Sequence, residues 1–167
     1  MVALAQLGLR IFQFLMVLLI TSLVGNVIAE AFAGNASAIN YAIFVAVFCW
    51  LTVLYGLAAA LIESLAMPIV IAAADGLSAL FTFIAGVVLA AKLGVHSCGN
   101  NSYVTSNSLT NGSHNPSKRC HELQASCAFF WFLFAAFCAT AVLSFTGGSS
   151  SMRRGGLRKG GPSMSQV

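Results

Sequence analysis

The residues that could do chemistry in this chain are few. Asp75 lies inside an otherwise apolar run, "PIVIAAADGLSALFTFIAGVVLAA", and a carboxylate near the middle of a bilayer costs roughly 2.5 to 3.5 kcal/mol on insertion scales. It is there either to bind an ion or proton or to hold helices together. Cys98 and Cys120 bracket the longest polar stretch, with His96 and His121 beside them. Two readings are open: a disulfide, which in the chain-entropy model contributes roughly 3 kcal/mol for a loop of this size, or a zinc site of two thiols and two imidazoles. The spacing lacks the paired short intervals of zinc motifs, which favours the disulfide. Cys49, Cys127 and Cys138 are expected to be small buried hydrophobes. Neither Ser-x-x-Lys, Gly-x-Ser-x-Gly, a Walker loop nor a dinucleotide fingerprint occurs, so no enzyme, cofactor or metal is expected.

The elements that must position these residues follow from composition. Of the residues 59% are apolar and 7% charged, far from the balance of soluble domains. Four apolar runs, at about 11–29, 41–62, 68–91 and 123–145, are each long enough to cross ~30 Å of hydrocarbon. They are apolar all round and do not alternate, which excludes barrel strands. The expected fold is an all-α membrane protein, an antiparallel four-helix transmembrane bundle occupying 1–145. The loop 92–122 is irregular and extracytosolic, and 146–167 is a disordered basic tail. Arg10 with "AFAG" at 31–34 also resembles a secretory signal, but the apolar stretch is too long for one and is read as a retained first span.

Orientation rests on charge. Arg10, Arg153, Arg154, Arg158 and Lys159 oppose Lys92, Lys118 and Arg119, which places both termini in the cytosol. The sequons at Asn35, Asn100 and Asn111 fall on the opposite side, and Asn111, farthest from the membrane, is the candidate for glycosylation. The tail cations Arg153, Arg154, Arg158 and Lys159 are expected to lie on anionic lipid, subject to phosphorylation at Ser149 to Ser151. Nucleic acid is not an expected partner.

On the third helix Asp75, Ser78, Thr82 and Gly86 share one face by their spacing, small and polar, suited to close helix pairing. In the antiparallel hairpin formed with the second helix, Tyr55 lies at matching depth, and a hydrogen bond from its hydroxyl to a neutral Asp75 carboxyl is expected. On that reading Asp75→Asn is tolerated. The alternative is a small transporter or channel component with Asp75 as an intramembrane ion or proton site. The apparent isolation of that charge and the absence of paired halves favour membrane organisation.

"LIESLAMPIV", the Asp75 segment with "FTFIAGVVLAA", "HSC" at 96–98, "SYV" at 102–104, "RC" at 119–120 and the terminal "SQV" together resemble the fungal non-classical export proteins, which carry a MARVEL domain. The resemblance follows one order along almost the whole chain. It implies a non-enzymatic, multi-pass plasma-membrane protein that organises lipid and protein microdomains of the eisosome type. It further implies a response to sphingolipid status and a link to unconventional secretion. The expected partners are membrane lipids, sphingolipids among them, other membrane or eisosome proteins, and further copies of the chain.

Overall fold

The computed structural model describes residues 2–32, 34–94 and 96–155. Five α-helices and one short 3-10 turn follow in order: α1 Val2–Ala29, α2 Ser37–Leu61, the turn Glu63–Leu65, α3 Pro68–Leu93, α4 Asn101–Ser106 and α5 Pro116–Gly155. Within these, Leu4–Ala29, Ser37–Leu61, Pro68–Leu93 and Pro116–Ser144 are long and apolar enough to cross a membrane. The chain is an all-α, four-helix membrane bundle.

Local sequence explains the boundaries. Pro68 opens α3, where its missing N–H has no helical acceptor to lose. Gly94, at φ +58°, ends that helix in a conformation that costs glycine little. Asn115 Oδ1 accepts from the Lys118 backbone N–H at 3.1 Å and Pro116 follows, so α5 starts on a side-chain cap and a proline. Asn100 caps α4 in the same way.

The helices extend beyond several of the expected spans, α2 for instance beginning at Ser37 rather than 41. Reading a charge as a membrane edge predicts a first span that begins after Arg10. In fact α1 runs through Arg10, which is only 2% exposed. The fourth apolar stretch ends at Ser144, within a residue of the expected 145, but α5 begins at Pro116 rather than 123 and runs on to Gly155, so the loop expected to be irregular contains α4 and the start of α5, and the first residues of the tail expected to be disordered are helical. Arg153 and Arg154 fall within its length, and Arg158 and Lys159 lie outside the described residues.

The helices pack as a ring in which each meets two neighbours: α1 with α2, α2 with α3, α3 with α5, and α5 with α1. The diagonal pairs, α1 with α3 and α2 with α5, do not pack backbone to backbone. The core ladder is Val17, Ile20, Val24 and Val27 on α1, facing Ile39, Val45 and Val53 on α2, Leu89 on α3 and Phe130, Leu133 and Phe137 on α5. Leu51, Leu54, Leu80 and Phe132 point outward, as a lipid-bathed surface requires.

At the end opposite the termini the long loop folds back over the bundle. Phe32 N–H donates to the Gly112 carbonyl at 3.1 Å, beside an isolated antiparallel bridge between Ala31 and Ser113.

Candidate functional site

Asp75 is fully buried, and its partner is Arg10. Arg10 Nη1 donates to Oδ1 at 2.7 Å and Nη2 to Oδ2 at 2.8 Å. This is the bidentate fork, the strongest geometry available to a guanidinium and a carboxylate. Nη1 also donates to Gln13 Oε1 at 2.9 Å, Gln13 Nε2 donates to Thr140 Oγ1 at 3.1 Å, and Thr140 Oγ1 donates to the Phe137 carbonyl at 3.0 Å. The ion pair thus spans the open diagonal of the ring, from α1 to α3, and Gln13 ties it sideways to α5.

The fourth helix contributes by absence. Gly56 on α2 packs against the guanidinium so closely that a Cβ there would stand 2.5 Å from Arg10 Nε and 2.6 Å from Cζ. Every other residue type would displace the ion pair. All four membrane-crossing helices therefore meet at one buried polar centre.

This overturns the expected pairing of Tyr55 with Asp75. The Tyr55 hydroxyl donates instead to the Leu65 carbonyl at 2.9 Å, bracing the turn between α2 and α3. Depth was matched, but rotation of α2 points Gly56 inward and sends Tyr55 toward the turn. The neutral carboxyl expected at 75 is replaced by one held in an ion pair, and the intramembrane charge is not single.

The rest of the α3 face divides among its neighbours. Ser78 Oγ donates to Thr52 Oγ1 on α2 at 2.9 Å. Thr82 Oγ1 turns back onto the Ser78 carbonyl at 2.7 Å, a bond within the helix. Gly86 receives the Trp131 indole of α5, whose Cε2 would lie 3.1 Å from an added Cβ.

A second polar centre lies at the loop end. Cys98 and Cys120 are joined in a disulfide with Cα atoms 5.6 Å apart, packed with Val104 and Tyr103. The two thiols of the zinc alternative are thus committed to each other. Arg119, 2% exposed, donates from Nε to the Leu109 carbonyl at 2.7 Å, from Nη1 to the Val27 carbonyl at 2.7 Å and from Nη2 to Asn35 Oδ1 at 3.1 Å. One side chain therefore joins the end of α1, the α1–α2 link and the long loop. Lys118 Nζ pairs with Glu30, and with Glu122 at 3.7 Å. The Glu30 carboxyl is held below its ordinary range, first by the Lys118 hydrogen bond and then by the Lys118 charge. Asn111 is exposed.

Arg10, Gln13, Gly56, Thr140 and Arg119 build these two polar centres, and sequence reasoning assigned none of them to a site. The signal for two of them was present: Arg10 and Gln13 are one helical turn apart in a run whose helix starts well before them.

The MARVEL family model, a membrane-associating domain, matches residues 3–143. Non-classical export protein 2 of Saccharomyces cerevisiae is 39% identical over 100% of both chains. Non-classical export protein 102 of Candida albicans is 35% identical, again over 100% of both. Non-classical export protein 2 homolog of Schizosaccharomyces pombe is 30% identical, covering 86% of this chain and 80% of its own. No solved structure matches the chain. With its four membrane-crossing helices and these full-length relatives, the chain belongs to the MARVEL family of membrane-associating domains and, within it, to the fungal non-classical export proteins.

Proposed function

We propose that this protein is a non-enzymatic organiser of plasma-membrane microdomains of the eisosome type, with both termini in the cytosol, acting through its lipid-facing surface, its outer loop and its basic tail. One observation carries the reading. Among the described residues, the buried polar side-chain atoms without a partner are Ser113 Oγ and Glu122 Oε2, both at the loop end. Among the described residues, every fully buried polar side-chain atom at membrane depth has a partner within the bundle, which supports a rigid body that acts by lateral association rather than a pathway through the bundle. Both oxygens of Asp75 accept from Arg10, which counts against an ion or proton site there.

The relatives' name, non-classical export protein, supports a role in unconventional export by the same surface. The partners on this proposal are sphingolipids and other membrane lipids, eisosome proteins and further copies of the chain. Anionic lipid engages Arg153, Arg154, Arg158 and Lys159. Imaging a tagged full-length copy in fungal cells tests it. A patchy cell-surface pattern that dissolves when sphingolipid synthesis is blocked is expected, and an even distribution or an internal-organelle pattern overturns it.

A further inference from the structure

A cleft of about 400 Å³ opens at the termini end of the bundle, between α1, α2 and α3, with Ser144 of α5 at its edge. Its walls are mostly apolar, among them Leu7, Ala60 and Ile71, and Arg10 and Gly56 reach it from the core. Gln6 Nε2 donates to Ser144 Oγ at 3.3 Å and closes one side. The geometry points to a built site for one acyl chain of a membrane lipid, its ester or amide carbonyl oxygen accepting from Arg10.

The argument starts from the donors of Arg10. Its hydrogen bonds use Nη1 twice and Nη2 once. The side-on edge of the guanidinium, Nε–H and the second Nη2 N–H, has no protein acceptor among the described residues. These groups are not among the fully buried polar atoms left without a partner; Arg10 lines the cleft, so an acceptor lying in the cleft can reach them, and in a hydrocarbon medium a charged donor without an acceptor carries a large desolvation penalty. Gly56 packs its backbone against the guanidinium and, having no side chain, puts none between it and the cleft that both residues line.

Depth and charge then select the occupant. Arg10 lies six residues inside Leu4, where the membrane-crossing segment begins, or about 9 Å along the helix axis. That is within the apolar segment but close to its end, so the medium expected at the cleft is lipid near the membrane surface. Asp75 already balances the Arg10 charge, so an uncharged oxygen suffices, and a phosphate would carry an uncompensated negative charge below the interface. A lipid carbonyl sits just inside the headgroup, and its acyl chain continues along the apolar walls.

The site deepens the organiser reading and rests on it for its purpose, but its test does not depend on patches forming in cells. The full chain is placed in nanodiscs of ester-linked phosphatidylcholine containing a trace of the same lipid with a photoactivatable diazirine in the acyl chain, and labelled peptides are mapped. Peptides bearing Leu7, Ala60 and Ile71 are expected to label well above the lipid-facing Phe132 peptide. Ala60→Phe, and Ile71→Trp from the opposite wall, lower cleft labelling to the Phe132 level while Phe132 labelling and thermal unfolding stay unchanged. An ether-linked analogue, lacking the carbonyl, labels the cleft about fivefold less, the factor expected for one net hydrogen bond. Cleft labelling equal to that at Phe132, insensitivity to both plugs in folded protein, or equal labelling by ether and ester lipid overturns the site.

Discussion

Arg10 and Asp75 meet at 2.7 Å and 2.8 Å although the helices that carry them do not pack against each other. The pair is a strut across the bundle, and the four helices close around it. Its energetic sign depends on which partner is removed. Two charges desolvated together roughly break even against an apolar pair, but one left alone is strongly unfavourable.

Asp75→Asn therefore destabilises the protein, contrary to the tolerance expected for a neutral Asp75. It strands the Arg10 charge, at a cost of about 3 kcal/mol. The double variant Arg10→Met with Asp75→Leu recovers most of that loss, since no charge remains buried. Thermal unfolding of all three proteins in one detergent measures it, and an Asp75→Asn protein as stable as the parent refutes the strut.

Gly56→Ala destabilises by about 1 to 3 kcal/mol through overpacking, as its Cβ has only the Arg10 guanidinium to push. Gly86→Ala is milder, because the Trp131 ring can give by a few tenths of an ångström. Denaturation midpoints of the two variants rank them, and the reverse order contradicts this packing.

The disulfide is expected to contribute about 3 kcal/mol. Non-reducing peptide mapping after alkylation should yield a Cys98–Cys120 linked peptide, with Cys49, Cys127 and Cys138 alkylated. Replacing both bridged cysteines by Ser should loosen the loop end first, seen as faster amide exchange at Tyr103 and Val104.

Acid loosens the same end by a different route. Glu30 titrates below its ordinary range because of Lys118. A depressed folded-state value means that this contribution is fully present above the unfolded-state carboxylate range, about pH 4.3, and is lost as pH falls through the folded value. Amide exchange at the end of α1 should rise on acidification in the parent and rise less over the same acid step in Lys118→Met, where only Asn26 and Arg119 still favour the Glu30 carboxylate.

Much of the architecture was legible because bilayer thickness imposes it: an uncharged run of twenty or so residues has few alternatives to a spanning helix. The cysteine pair was legible because only two of the five lie in the polar loop. Arg10 was misplaced by the rule that made the spans easy to find, since a charge is read as a border unless its counter-ion is known. That counter-ion is 65 residues away on a non-adjacent helix. Helix rotation, which decides between Tyr55 and Gly56 as the inward residue, is set by packing against all neighbours at once, so no local pattern shows it.

Glycosylation at Asn111 is a separate expectation that tests orientation. If the loop faces the secretory lumen, endoglycosidase treatment should shift the mobility of the parent and leave Asn111→Gln unchanged. Asn35, whose amide oxygen accepts from Arg119, should not contribute.

The strut also sets a clock on biosynthesis. Arg10 leaves the ribosome 65 residues ahead of Asp75, a delay of about 3 to 13 s at ordinary elongation rates. During that interval the nascent first helix carries a cation with no anion to meet it. The insertion machinery must shelter α1, or let it sit shallow, until α3 emerges. A chain stalled between them is thus an orphan recognisable to membrane quality control, while the finished four-helix protein no longer displays the mark.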